Sequence, residues 1–458
     1  MDYLAIRGAC LILAVVSLTP FALYLIGRLK DPFHPLTLAG VLAFGIADLK
    51  LLQHPGPALN FVTTSSIVEF ELIAATSLLF MYLGWHWRSR LHPTGQPTGT
   101  ARKLLAPDAY HPLRLLACGW LMAILTFTSW LLARQAGQSF HFSGYLGDWG
   151  FLQTAGAVLL LQAFLLDRNL FLFSLIGLGV DLFGCVYSLY AHGARHSAAI
   201  LLTVLAVPFV FKGTRPKKVW VLILGLMAAI AMMTLAETRT IVGKGEAPNR
   251  FAALWLAGER FIHGGRRHYG AGLEFVVGSM EVQVVQQQQN WNFGRVIPDI
   301  AVMFLPYKYF PNKYAWISQW DAPHFFPLLR RYLGLTKKKL SYGVAPTGFA
   351  DAYVNFWWLF PLFWLLVGYF LQRIYTQGVY GRRLDHQGYL LCTFMVLFLM
   401  VGQDLEAGIF QGLFTLPPIW IAYKYARDYR ARPGIAPAYA GQGAATTEAA
   451  TFPPWGPS

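Results

Sequence analysis

Long apolar runs alternate with short polar breaks along most of the chain. The runs fall near residues 3–27, 34–52, 66–87, 113–134, 150–167, 169–190, 196–212, 219–236, 353–375, 388–403 and 407–424. A helix needs roughly 20 predominantly apolar residues to cross a bilayer core. The pattern therefore predicts an all-α, polytopic transmembrane protein of about eleven spans. One polar interruption is far longer than the rest, residues 237–352. It divides the chain into N-terminal spans over 1–236, a large loop over 237–352, C-terminal spans over 353–424 and a tail over 425–458. The tail is built of Pro, Gly, Ala and Thr, cannot bury a core, and is expected to be disordered.

The loop carries its own apolar patterns. Residues 251–261 and 275–289 have helical spacing, the second ending in the run Gln286–Gln289. Residues 295–306 are too short to span and are bounded by prolines, which predicts an interfacial or re-entrant helix. An ordered, partly helical loop of this length in a compact protein is commonly a functional one.

Composition agrees with the membrane reading. Hydrophobic residues make up 55% and charged residues 13% of the chain, against about 25% charged in soluble domains. The net charge of +15 resides mostly in short loops between spans, which fits orientation signals and anionic headgroups rather than nucleic acid. Arg28 and Lys30, the group from Arg88 to Arg114, Arg168, the group from Lys212 to Lys218, Arg373 with Arg382 and Arg383, and Lys424 to Arg432 fall on one side of an eleven-span chain. That side is expected to be cytoplasmic, and the 237–352 loop external. The first run, followed by Arg28 and Lys30, reads as a retained helix rather than a cleaved signal. The four cysteines, Cys10, Cys118, Cys185 and Cys392, all lie in apolar runs. They form neither a disulfide framework nor a CxxC metal pattern.

Candidate chemistry concentrates in the loop and its exit. Its cations include Arg239, Arg250, Arg260, Arg266, Arg267, Arg295, Arg330 and Arg331. Guanidinium groups bind phosphate in a bidentate way, or pair with local Glu residues and lipid phosphates. Possible bases are Glu237, Glu259, Glu281, Asp299, Asp321, His324 and Asp351. Asp351 stands at the start of a transmembrane helix, where a carboxylate serves as a cap or as a base. Thr347 and Asn355 likewise read as cap, interhelical hydrogen bonder or substrate ligand. Within the spans, Asp48, Glu69 and Glu71 lie near the ends and are compatible with interfacial placement. Asp181 lies nearer a centre, where ionisable groups are costly and commonly functional. No HExxH, Walker or GxSxG pattern occurs.

The stretch Pro346-Thr-Gly-Phe-Ala-Asp-Ala-Tyr-Val-Asn-Phe356, running into an aromatic-rich helix with Gly368, resembles a motif of the O-antigen polymerase family. Those are oligosaccharide repeat-unit polymerases of bacterial surface glycans. Thr238-Arg239-Thr240 resembles the family's Arg after a transmembrane helix. The segment from Asn292 to Pro311 resembles its Tyr/Gly/Pro-rich stretch ahead of the motif. The likeness covers residues 237–370. Trp357 stands where the family commonly has Gly, and Asp351 where it has Glu.

The resemblance implies an inverting, metal-independent glycosyltransferase of the inner membrane that needs no cofactor. Its donor and acceptor would both be undecaprenyl-diphosphate-linked oligosaccharides. Asp351 and Arg239 would be catalytic. Arg267, Arg295, Arg250, Tyr353, Asn355 and Thr347 would bind substrate. Membrane lipids, a chain-length regulator and a flippase would be the partners. An O-antigen ligase differs in acceptor and not in leaving group. A transporter of lipid-linked glycans should instead show repeats and midplane polar groups; here the polar groups gather in one asymmetric loop.

The charge pattern makes a direct prediction. Reporter fusions at Gly99 and Gly441 are expected to report the cytoplasm, and a fusion at Gly245 the external face. A cytoplasmic signal at Gly245 contradicts it.

Overall fold

In the computed structural model the chain folds as a helical membrane bundle. The structure describes residues 2–29, 31, 34–53, 62–91, 109–135, 149–192, 195–212, 217–219, 238, 241, 245–262, 273–288, 291, 296–303, 347–381, 383–402 and 405–427. Helices α1 to α7 are Asp2–Leu25, Pro35–Gln53, Thr64–Leu91, Pro112–Gln135, Gln153–Leu166, Phe171–His192 and Arg195–Lys212. Helices α8, α9 and α10 are Arg250–Ile262, Leu273–Gln288 and Val296–Met303. They lie where the apolar spacing of the long loop predicts helix. Helices α11 to α14 are Gly348–Phe356, Phe360–Tyr375, Leu384–Gly402 and Leu405–Ala426.

Among the described residues, six helical stretches are long and apolar enough to cross a membrane. They are Tyr3–Leu25, Thr64–Leu91, Pro112–Leu132, Arg168–Tyr187, Gly348–Tyr380 and Leu384–Gly402. Shorter apolar helices lie at Pro35–Phe44, Gly150–Leu166 and His196–Lys212. Leu4, Leu11, Val15, Leu121, Leu172, Phe173 and Leu366 are all exposed. In water such surface would be unfavourable, whereas lipid tails are as apolar as leucine. The expected 219–236 run lies almost wholly outside the described residues.

Glycine sets the closest helix contacts. A Cβ on Gly84 of α3 would run into the carbonyl of Leu365, and one on Gly368 of α12 into the carbonyl of Met81. Gly40 of α2 meets the backbone of Ser17 in the same way. Without a hydrophobic driving force between helices, such close backbone approach supplies the packing contacts that hold them together. A second group, α4 to α6, packs around the buried Asp181, whose carbonyl accepts a 2.5 Å hydrogen bond from Gln153 Nε2. Gly156 leaves room for the Asp181 carboxylate, which a Cβ there would approach to 3.0 Å.

The bundle has two polar ends. At one, Tyr110 pairs with Arg427, and His111 N–H donates to the Ala426 carbonyl at 2.9 Å, joining the start of α4 to the end of α14. Burial, and next the charge of Asp385, pushes the Tyr110 phenol up to about 12. His34, Trp85 and Tyr375 form an aromatic cluster with centroid distances of 4.4 to 5.3 Å, joining α2, α3 and α12. The other end holds the starts of α3 and α14 together with α9, α10 and α11.

The helix entering the membrane there is broken. α11 stops at Phe356, a 3-10 turn covers Trp357–Leu359, and α12 then continues. The apolar run is continuous across this point, so hydropathy gives no warning of the break. Its cause is Trp357, with φ +49° and ψ −130°. That region is easily reached by glycine and costs other residues about 1–3 kcal/mol. Replacing Trp357 by Gly and by Ala removes the same indole but treats the backbone differently. The Gly variant is expected to melt higher in detergent than the Ala variant, by the equivalent of about 1 kcal/mol or more. Equal melting of the two contradicts the strained turn.

Candidate functional site

The chemistry-bearing side chains of the second polar end are assembled by two short helices. The first is α11, buried along nearly its whole length from Gly348 to Asn355. A Cβ on Gly348 would meet the backbone carbonyl of Met400, so α11 lies directly against the end of α13. The second is α9. Its residues from Val276 to Val285 are buried without a break, so neighbours enclose it on every side. It packs along α2, α11 and the first turns of α3, with Gly278 against the ring of Phe70. A helix with Ser279, Glu281 and Gln283 buried needs polar partners on its neighbours, because an unsatisfied polar group is costly in an apolar surrounding.

Those partners include helix ends. Gln283 Oε1 accepts the Thr63 N–H at 2.8 Å, just ahead of α3. Asn355 Oδ1 accepts the Val296 N–H at 3.0 Å, at the first residue of α10, while Asn355 Nδ2 donates to the Asp351 carbonyl at 3.0 Å. Asp351 Oδ2 accepts the Leu405 N–H at 2.8 Å, at the first residue of α14. Each bond satisfies a backbone donor that a helix start leaves open. The sequence left Asp351 as a cap of its own helix or as a catalytic base; its carboxylate caps a different helix. Thr347 is the residue before α11, but its hydroxyl is buried and makes no capping bond.

At the centre stands Glu69 of α3. Tyr353 Oη donates to Glu69 Oε1 at 2.9 Å, and Gln286 Nε2 donates to Oε2. Two donors from two different helices fix the plane of this carboxylate. Glu69 is half-buried, whereas Asp351 keeps only 9% of its exposure. Trp291 packs edge-on against the Tyr353 ring at 4.9 Å and lies 5.8 Å from Trp357, whose indole is 42% exposed. A half-buried carboxylate can accept a proton from a hydroxyl, and the exposed Trp357 indole offers a face against which a sugar ring can stack. Deeper in α3, Glu71 is fully buried and accepts a hydrogen bond from Cys10 Sγ at 3.4 Å.

Of the residues singled out from sequence, Asp351, Tyr353, Asn355 and Thr347 therefore share this end of the bundle. Arg239, Arg267 and Arg295 lie outside the described residues. Arg250 opens α8, and its side chain is also outside them. Glu69, Gln283, Gln286 and Trp291 were not among the expected site residues. Their signal was present: two carboxylates spaced Glu-x-Glu in an apolar helix, and glutamines on a loop helix otherwise rich in valine. Comparison of the chain with protein-family models, with curated proteins and with solved structures finds no match.

The role of Asp351 can be tested through stability. In Asp351→Asn the amide oxygen can still accept from Leu405, so only the charge at a helix start is lost, about 0.3–1 kcal/mol. In Asp351→Ala the buried N–H is orphaned, at a further cost of about 1–2 kcal/mol. Thermal melting in detergent is expected to rank the proteins wild type, Asn, Ala. An Ala variant as stable as the Asn variant contradicts the capping role.

Proposed function

We propose that the protein is a membrane glycosyltransferase that joins lipid-linked oligosaccharide repeat units into a surface polysaccharide. It would sit in a bacterial inner membrane with eleven spans, and residues 237–352 would face outward. One observation carries this assignment. Tyr353, within the stretch that resembles the O-antigen polymerase motif, donates its hydroxyl to the half-buried Glu69 carboxylate, and its ring packs against Trp291, which neighbours Trp357. A second observation supports it. Position 357, where that family commonly has Gly, takes the left-handed backbone that Gly adopts at least cost.

In this reaction a hydroxyl of the acceptor sugar attacks the anomeric carbon of the growing chain. The bond between that carbon and the diphosphate oxygen breaks, and the lipid diphosphate leaves with the electron pair. The hydroxyl proton passes to a carboxylate. Of the cluster's carboxylates Glu69 is the most exposed, since Asp351, Glu71 and Glu281 are buried. Asp351 acts here as a positioning residue, because its carboxylate holds α11 to the start of α14. Attack from the face opposite the leaving group inverts the anomeric configuration. Arg239, Arg267, Arg295 and Arg250 would meet the diphosphate, where fixed guanidinium groups stabilise charge as it develops. Tyr353 and Gln286 keep the base aimed, Asn355 holds the start of α10 beside it, and the buried Thr347 hydroxyl would be left to meet substrate.

The substitution Glu69→Gln tests the assignment. The Gln side chain is similar in size and still offers an oxygen to Tyr353, but it cannot take up the proton. Polymer on a length-resolving gel is expected to fall by about 10²–10⁴-fold at unchanged protein level. Full-length polymer at the wild-type amount removes Glu69 as base.

A further inference from the structure

The break at Trp357 decides where its side chain goes. In an unbroken helix from α11 into α12, position 357 would share a face with Phe360, Trp364, Gly368 and Leu371, at spacings of three, seven, eleven and fourteen residues. That face is buried, and Gly368 on it lies against the backbone of Met81 in α3. The positive φ of Trp357 takes the chain out of this register, and the indole is exposed instead. Glycine would hold the same turn at less cost. The turn alone therefore does not call for an indole, and strained backbone beside a candidate site points to a role for the side chain it carries.

Lipid and substrate are the two surroundings that could take up an exposed indole here. The lipid-facing stripe is marked by Trp358, Leu362, Leu366 and Phe370, four residues apart and 51 to 66% exposed. Trp357 is not on that stripe. Its ring lies 5.8 Å from Trp291 at a tilt of 46°, and Trp291 packs edge-on against Tyr353 at 4.9 Å. Tyr353 in turn donates to Glu69 Oε1. Two ring contacts and one hydrogen bond thus connect the indole to the half-buried carboxylate.

We propose that Trp357, backed by Trp291, is the platform on which a pyranose ring of the substrate stacks beside Glu69. The ligand class follows from the surface. A pyranose presents a face of C–H groups rimmed by hydroxyls. The C–H face lies on an indole, and the hydroxyls stay free for polar groups that fix their orientation. An open-chain polyol has no such face. The inference rests on the reading of this end as a sugar-transfer site, and it adds the residue that holds the sugar ring in register with the base.

Binding tests it without any polymerisation. Saturation-transfer NMR is recorded on the full-length protein in amphipol. The probes are methyl β-glucopyranoside, methyl β-galactopyranoside and methyl α-mannopyranoside, with sorbitol as the ringless control. The wild type is expected to transfer saturation to the ring C–H protons of at least one glycoside and not to sorbitol. Trp357→Gly keeps the turn, because Gly accepts this backbone. It is expected to lower the signal by roughly two- to tenfold, the range of one aromatic contact. Trp357→Tyr restores a ring face and should recover most of it. Trp358→Ala, on the lipid-facing stripe, should leave it unchanged. Absence of signal from all three glycosides in the wild type, or an equal loss in Trp358→Ala, overturns the platform. So does a Tyr variant as weak as the Gly variant. A Trp357-dependent signal in a protein that makes no polymer supports the platform and counts only against the glycosyltransferase reading. Polymer formation with an undiminished signal in Trp357→Gly removes the platform and leaves that reading standing.

Discussion

Everything at the Glu69 end depends on one constraint: backbone N–H groups at helix starts inside an apolar bundle must find acceptors other than water. Three such starts are satisfied from another helix. Gln283 serves α3, Asn355 serves α10 and Asp351 serves α14. A typical hydrogen bond contributes only about 1 kcal/mol net, but leaving a buried donor open costs about 1–3 kcal/mol. The penalty for dissociating α9 or α11 is therefore larger than the gain from forming each bond suggests. The two short helices act as cross-pins, and the carboxylate of Glu69 lies between them.

This arrangement links rigidity to chemistry. Glu69 is held by Tyr353 from one pin and Gln286 from the other, so its orientation is set by the same elements that join the helix starts. In the proposed reaction a base held in this way would need little reorganisation when a substrate hydroxyl arrives. The strained Trp357 turn then carries the chain from the pin into α12, whose Gly368 packs on α3, the helix that bears Glu69. The opposite end differs in kind. There Asp385 is engaged by Arg383, His386 and Arg427, and Tyr423 is tied to Gln162.

Much of the fold was legible in the sequence because the apolar runs are long. The helices from α1 to α7 and from α12 to α14 lie within or near the expected spans, and even the helices of the long segment followed their apolar spacing. The site was less legible, for reasons that can be named. Tyr353 and Glu69 are 284 positions apart, and no local pattern reports a pairing at that separation. Glu69 near the end of a span looks like a charge at the interface, and only packing shows that it turns inward to two donors. Asp351 looks like the cap of its own helix because sequence shows the nearest helix start and not the nearest one in space. Trp357 hides a chain break because aromatic side chains do not mark a positive φ. Tyr353, Asn355 and Asp351 come together at this end because the motif that contains them folds as the single helix α11.

The most direct measurement is made on the purified protein in liposomes that contain only lipid-diphosphate-linked repeat units. Here the protein is expected to produce a ladder of lipid-linked chains spaced by the mass of one repeat unit, with free lipid diphosphate released once per bond formed. Repeat units that stay unextended while the folded protein is present in the membrane, or that only change leaflet, would contradict the account.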